Sequence, residues 1–149
     1  IVGRGNDDYA NYLKKYVIDN KIEKNITFTG FLEGNPTDII SEFNILAMPT
    51  TDFEGFGYSM AEAMSINIPV IASNVGAIPE IVKNNFSGIL VPPENFNNWK
   101  ESIELLLNDK KLQEKISING FNRIKNNFSA EKMSKNYYNF LCKDYEKIF

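Results

Sequence analysis

Two glutamates flank a glycine-rich turn, and these residue types at this spacing could bind a ligand that carries both hydroxyls and phosphates. Glu54 and Glu62 have seven residues between them, including Gly55 and Gly57. A turn that leads into a helix leaves free backbone N–H groups, which bind phosphate oxygens. A carboxylate such as that of Glu62 can accept hydrogen bonds from two adjacent ribose hydroxyls. The pattern therefore predicts a site for a sugar nucleotide.

Each of these features also has an ordinary structural explanation. Residues 59–62, Ser-Met-Ala-Glu, match a capping box, which explains Glu62 as well as ligand binding does. Glu54 could be a solvated loop acid. A second glycine pair, Gly3 and Gly5, could approach a phosphate, but it lacks the third glycine of a dinucleotide fingerprint. A tight turn explains that pair equally well.

Composition excludes several classes of function. The 149-residue chain has a formal net charge of -3 and no dense run of Lys or Arg, which argues against nucleic-acid binding. Histidine is absent and there is one cysteine, so His-based catalysis and ordinary zinc sites are excluded and no metal is expected. With 43% apolar residues the chain can bury a core as one domain, 1–149. No apolar stretch approaches the length of a membrane span and no signal peptide is evident, which predicts a cytoplasmic protein.

Short apolar runs that alternate with amphipathic segments predict the elements that must position these residues. Strands are expected at 1–2, 26–29, 45–48, 69–72 and 88–91, and helices at 7–17, after 35–37, at 58–65, at 78–82 as a short turn or helix, and through 95–149. This alternation predicts an α/β fold, a three-layer Rossmann-like parallel sheet with helices on both faces. Ligands of such sheets bind at the carboxyl ends of the strands, so the Gly3 turn and the 49–58 loop are expected on one rim.

Residues 49–72 resemble the C-terminal, donor-binding domain of the retaining GT-B-fold nucleotide-sugar glycosyltransferases of the group 1, or family 4, type. In that family two glutamates spaced like Glu54 and Glu62 precede an alanine-rich helix, a Gly-x-Pro turn and an apolar strand. The segments 1–5, 28–32, 76–82 and 88–92 are also similar to the family. The resemblance therefore extends over nearly the whole chain.

The resemblance implies a role for each candidate residue. Glu54 would be the catalytic residue that contacts the donor sugar, and Glu62 would bind the ribose hydroxyls. The other implied donor-binding residues are Gly3, Gly5, Gly55, Phe56, Gly57 and Tyr58, with Phe31 and Leu32 against the nucleobase. For Phe31 and Leu32, packing at the edge of the core is an equal alternative.

The chain departs from the family pattern at two turns and in its basic residues. Asn67 and Ala77 stand where the family usually has glycine, and Asn is tolerated because it enters left-handed conformations more readily than most residues. The Arg and Lys that neutralise the diphosphate in the family have no counterpart here. The resemblance implies that the chain lacks the first strand and helix of its domain and the whole N-terminal acceptor domain.

The function implied by the resemblance is retaining transfer of a hexosyl group from a nucleoside diphosphate sugar to an acceptor, without a cofactor or metal. The acceptor would be a glycan or lipid-linked glycan in surface polysaccharide synthesis, reached through the missing domain. The fragment alone would be inactive, and its parent protein could contact the inner face of the membrane. Two alternatives remain open: a nucleotide-binding module without transferase activity, and an interaction protein that kept the fold.

Overall fold

The computed structural model of the protein describes residues 1–3 and 5–145. The chain divides into two compact units, Ile1–Asn35 and Pro36–Phe149. Along the chain the elements are α1 (Asp7–Asp19), a short 3-10 helix (Glu23–Asn25), α2 (Pro36–Ile40), β1 (Leu46–Met48), α3 (Tyr58–Ser65), β2 (Val70–Ser73), α4 (Ile78–Ile81), β3 (Ile89–Val91), α5 (Phe96–Asn108), α6 (Lys110–Asn127) and α7 (Ala130–Tyr145).

The second unit contains a parallel three-stranded sheet in the order β1-β2-β3. Leu46 of β1 pairs with Val70, and Ile71 of β2 pairs with Ile89. Every residue of the central strand β2 is buried, as expected for a parallel strand covered on both faces. In β1, by contrast, Ala47 is exposed. β1 differs from β2 in this respect because it is an edge strand of the sheet that the structure describes.

The alternation of side chains along β2 divides the interior of this unit into two cores. Val70 and Ala72 belong to one core, together with the buried residues of α3 and α4. Ile71 belongs to the other, where it joins Leu106 of α5 and Ile116 of α6. Successive side chains of a strand point to opposite faces, so helices cover both faces of the sheet. The predicted three-layer α/β fold is confirmed.

Local capping sets where the long helices of this unit begin. The side-chain oxygen of Asn95 accepts a hydrogen bond from the Asn98 N–H at 3.1 Å, which starts α5. Asp109 separates α5 from α6 and caps α6 through the Leu112 N–H at 2.9 Å. The predicted helical region 95–149 is confirmed through Tyr145, and residues 146–149 lie outside the described residues. No helix within 1–3 and 5–145 is long and apolar enough to cross a membrane.

The turn between α3 and β2 contains the first departure from the family pattern. Asn67 has a φ of 61°, in the left-handed region that asparagine enters more readily than most residues. The turn is closed by a hydrogen bond of 2.9 Å from the Ile68 N–H to the Ala63 carbonyl oxygen. Asn67 thus adopts the conformation expected from its residue type.

The first unit has less regular structure than predicted. Val2 and Gly30 form an isolated parallel bridge, and the Thr29 N–H donates to the Ile1 carbonyl oxygen at 3.0 Å. The strand predicted at 26–29 is thereby reduced to this short pairing. On α1, Val17 is buried but Tyr16 is 53% exposed, so the predicted apolar face of this helix is only partly covered.

Candidate functional site

The 54–58 loop ends at a glycine that caps α3. Gly57 is buried and has φ 76° and ψ 63°, a left-handed conformation that side chains of L-residues disfavour. A Cβ atom at this position would lie 3.1 Å from the terminal methyl carbon of Met48 and 3.2 Å from that of Met60. Backbone conformation and packing therefore both favour glycine here.

The position of this cap overturns the capping explanation of Glu62. The helix begins at Tyr58 and its cap is Gly57, so Ser59 lies inside the helix and cannot form a capping box with Glu62. Glu62 lies at the start of the second turn of the helix. Its half-buried carboxylate has no hydrogen bond or ion pair with any residue in the described ranges. It is available to a ligand.

Three consecutive backbone N–H groups at the start of α3 have no acceptor within the helix, and two of them, those of Tyr58 and Ser59, belong to exposed residues. The first bond of the helical ladder runs from the Ala61 N–H to the Gly57 carbonyl oxygen at 3.0 Å. The N–H groups of Tyr58, Ser59 and Met60 precede this bond, and no side chain caps them in the described structure. A helix start of this kind attracts anions because its unpaired N–H groups carry partial positive charge. The arrangement is suited to phosphate oxygens.

Glu54 is held at both its side chain and its backbone. Its carboxylate oxygen Oε1 accepts a hydrogen bond from the Gly57 N–H at 3.0 Å. Its carbonyl oxygen accepts another from the Ala77 N–H at 2.9 Å. The interpretation of Glu54 as a solvated loop acid is therefore wrong, since its side chain is half-buried and shapes the turn before α3.

Sequence reasoning missed the close approach of Gly76 to Glu54. Gly76 has a φ of 52°, and a Cβ atom there would lie 2.8 Å from the Glu54 nitrogen and would overlap the Glu54 carbonyl oxygen. A glycine three residues after the end of the buried strand β2 was the signal for such an approach, although it could not name the partner. The turn at 76–77 is thus part of the site.

The aromatic residues of the loop pack against each other and against the end of α6. The Phe56 ring lies 5.1 Å from the Tyr58 ring and 6.1 Å, edge-on, from the Phe128 ring. Tyr58 itself is 75% exposed, so its hydroxyl meets solvent. These three rings line an open cavity of about 760 Å³ together with Met133 and Tyr137 of α7. Phe128 is a neighbour of the site that sequence reasoning did not identify.

The remaining predicted residues belong to the first unit. The Gly3 N–H donates to the Gly30 carbonyl oxygen at 2.9 Å, which places Gly3 beside the backbone that continues into Phe31. Phe31 is 71% exposed and Leu32 is exposed as well, so packing into a core does not explain them. Gly5 has open space around it. All four residues thus have room for a ligand on their own unit.

The described residues contain no charged partner for the site. The ion pair between Lys100 and Glu104 is on α5, and no three carboxylate or thiol groups within 1–3 and 5–145 cluster as metal ligands would. On α7, a side-chain hydrogen bond with Cys142 and the charge of that group raise the pKa of Tyr138. Neither Glu54 nor Glu62 forms an ion pair within the described residues.

Comparison with known proteins identifies the class to which this fold and site belong. Residues 1–123 match the family described as Glycosyl transferases group 1. The chain belongs to this family, as its resemblance predicted.

Similar individual proteins include a glycosyltransferase of capsular polysaccharide biosynthesis and two solved structures. The capsular polysaccharide biosynthesis glycosyltransferase CapM of Staphylococcus aureus is 36% identical over 97 residues, which are 65% of this chain and 25% of that protein. The crystal structure of the C-terminal domain of the group 1 glycosyl transferase LpcC of Francisella tularensis has a TM-score of 0.75 at 28% identity, over 83% of this chain and 64% of that one. The structure of S. aureus TarM in complex with UDP has a TM-score of 0.76 at 25% identity, over 87% of this chain and 26% of that one. The chain spans about a quarter of the length of CapM.

Proposed function

We propose that the 54–58 loop and the start of α3 bind a nucleoside diphosphate sugar, and that the chain is the donor-binding part of a retaining hexosyltransferase. One observation carries the proposal. Two uncapped N–H groups of exposed residues, those of Tyr58 and Ser59, lie at the start of α3 between Glu54 and Glu62 in the sequence. Phosphate oxygens would accept from the N–H groups while carboxylates accept from sugar hydroxyls.

Each residue then has a defined task. The N–H groups receive the diphosphate, with the backbone of 55–58 bordering it. Glu62 binds the two ribose hydroxyls, because its carboxylate is free of protein partners in the described ranges. Glu54 contacts hydroxyls of the transferred sugar through the carboxylate oxygen that does not bind Gly57.

Taken by itself, the first unit carries the exposed residues that the resemblance assigns to a nucleobase. Phe31 and Leu32 offer apolar surface against which a base can pack, and Gly3 and Gly5 leave space beside the backbone. UDP is the first nucleotide to test, because it is the one bound in the TarM structure.

Transfer would break the bond between the anomeric carbon and the diphosphate and form a bond from that carbon to the acceptor oxygen on the same face. The diphosphate departs with the bonding electrons, and its oxygen takes up the proton that the acceptor hydroxyl gives up. The N–H groups of α3 stabilise the negative charge that develops on the leaving group. No metal is required if these groups and cations of the whole protein carry that charge.

The biological setting is proposed from the relatives. CapM is named for capsular polysaccharide biosynthesis, which supports an acceptor glycan or lipid-linked glycan of the cell surface. The acceptor would bind to parts of the whole protein beyond these 149 residues, so the chain alone would hold donor without turnover. We place the reaction in the cytoplasm, with peripheral contact between the whole protein and the membrane.

Calorimetric titration of the chain with UDP, GDP and ADP tests the proposal. We expect one nucleotide to bind, and Glu62→Gln to weaken its binding by roughly tenfold, because a hydrogen bond to a charged group is lost. Glu101→Gln, at an exposed position on α5, is the matched control and should bind like the original chain. A folded chain that binds none of the three at millimolar concentration would favour the interaction protein. Binding without transfer by the whole protein would favour the non-catalytic module.

A further inference from the structure

Arg123 of α6 binds the carboxyl end of α4. Its Nε donates to the Ile81 carbonyl oxygen at 2.6 Å, and its Nη2 donates to the Glu80 carbonyl oxygen at 2.6 Å. The last carbonyl groups of a helix have no partner within the helix and carry partial negative charge. The planar guanidinium therefore fixes the end of a helix that is only four residues long.

The opposite end of α4 is attached to the 54–58 loop. Ala77, the cap of α4, donates its N–H to the Glu54 carbonyl oxygen at 2.9 Å. Gly76 lies so close to Glu54 that there is no space for a Cβ atom between them. A displacement of α4 would therefore displace the backbone of Glu54.

A second path leads from Arg123 to the loop through aromatic rings. The guanidinium carbon lies 5.6 Å from the centre of the Phe128 ring, within the range of a cation–π contact. Phe128 in turn meets Phe56 edge-on, with ring centres 6.1 Å apart and planes at 65°. Arg123, Phe128 and Phe56 are all half-buried, which limits how far their side chains can move.

We propose that Arg123 is a positioning residue for the 54–58 loop. It acts on the loop at two points, the Glu54 carbonyl group through α4 and the Phe56 ring through Phe128. Its side-chain hydrogen bonds in the described structure go to the Ile81 and Glu80 carbonyl oxygens. The effect on ligand binding rests on the proposed function: by fixing the loop at Glu54 and at Phe56, Arg123 keeps Glu54 and the N–H groups at the start of α3 in their relative positions.

Amide hydrogen exchange, followed by NMR on the 149-residue chain, tests the two paths separately. The Gly57 and Ala77 N–H groups both bond to Glu54, so their exchange rates report the loop and its attachment to α4. Arg123→Met should accelerate exchange at both amides by roughly tenfold relative to Ile71 in the central strand, because charge-assisted bonds are lost. Arg123→Lys should have a smaller effect at the same two amides, since lysine keeps the charge but not the planar fork.

Substitutions of Phe128 isolate the aromatic path. Phe128→Leu should accelerate exchange at Gly57 and leave Ala77 unchanged, and Phe128→Tyr, which keeps the ring, should restore the original rate. Leu106→Ala in the opposite core is the control for a general loss of stability. It should accelerate exchange at the Gly57, Ala77 and Ile71 amides by a similar factor. If Arg123→Lys and Arg123→Met change the exchange rates of the Gly57 and Ala77 amides only by the same factor as that of the Ile71 amide, Arg123 does not position the loop.

Titration of the same variants with UDP connects the loop to the ligand. We expect Arg123→Lys to weaken binding several-fold while Leu106→Ala leaves it unchanged at a temperature where both are folded. If amide exchange is accelerated but the affinity for UDP is unchanged, Arg123 positions the loop without an effect on ligand binding. If the original chain binds no nucleotide at all, the proposed function fails, and the exchange rates still decide whether Arg123 positions the loop.

Discussion

Ala77 donates its backbone N–H to the carbonyl oxygen of Glu54 over 2.9 Å. The proposed catalytic residue is thus fixed by the main chain of a distant turn as well as by its own loop. Because Gly76 directly precedes Ala77 and packs against the same peptide, the geometry of this turn and the placement of Glu54 depend on each other.

Replacement of Gly76 by alanine should destabilise the protein strongly. The new methyl group would overlap the Glu54 backbone, and an alanine at a φ of 52° costs a further 1–2 kcal/mol, approximately. We expect a total loss of about 2–4 kcal/mol in the free energy of unfolding, measured by urea denaturation.

Gly55→Ala is the matched control for this substitution. The nearest atom to a Cβ at Gly55 is 3.9 Å away, on the Phe53 ring, and Gly55 is not among the glycines with positive φ. This variant should stay within about 0.5 kcal/mol of the original chain. Equal losses at Gly55 and Gly76 would contradict the close packing of Gly76 against Glu54.

Two substitutions of Glu54 separate its structural role from its proposed catalytic role. Glu54→Ala removes the acceptor of the Gly57 N–H and should cost about 1 kcal/mol of stability, as the loss of a helix cap does. Glu54→Gln keeps a side-chain oxygen and should cost less. Both should lower the rate of sugar transfer by the whole protein, measured as kcat.

The control for Glu54 is Asp52→Ala, an exposed acid in the same region of the chain. It should change neither the midpoint of thermal unfolding nor kcat. A Glu54→Gln protein with unchanged kcat would leave this residue with a structural role alone.

A pair of buried serines should respond in opposite directions. Ser73 Oγ is buried at the end of β2 without a hydrogen-bond partner in the described structure, so Ser73→Ala should raise the stability by about 1 kcal/mol. Ser87 Oγ accepts from the Lys83 N–H at 2.9 Å, and Ser87→Ala should lower the stability by a similar amount. Calorimetric unfolding of both variants checks this contrast, and a loss of stability for Ser73→Ala would indicate a polar partner of that hydroxyl.

Asn67 offers a test of backbone conformation away from the site. Because its φ is 61°, Asn67→Ala should cost about 1 kcal/mol, whereas Asn67→Gly should be close to neutral. Thermal unfolding of the two variants measures the difference. Equal stability of the alanine and glycine variants would rule out a left-handed residue at this turn.

The sequence was sufficient to predict the helix that carries the site but not what fixes its start. α3 spans Tyr58–Ser65 as predicted, because a glycine turn, a compact apolar helix and a following strand each leave a local signal. The cap at Gly57 excluded the predicted capping box, since a left-handed glycine competes with Ser59 for that position and residue types alone do not show which one wins.

Long-range contacts of the loop were beyond sequence reasoning for a different reason. The bond between Ala77 and Glu54 joins two backbones, and backbone atoms carry no residue-specific pattern. The contact between Phe56 and Phe128 depends on where α6 ends, which is set by packing rather than by propensity. Exposed Phe31 was identified only through the resemblance to the family.

The division of side chains along β2 offers a built-in pair of spectroscopic reporters. The side chain of Val70 packs in the core that contains residues of α3, and that of neighbouring Ile71 packs in the core that contains Leu106 of α5. With isotope labels on these adjacent residues, one NMR spectrum would report changes in both cores, one on each face of the sheet. A ligand that reaches the start of α3 should shift the Val70 signals and leave those of Ile71 in place.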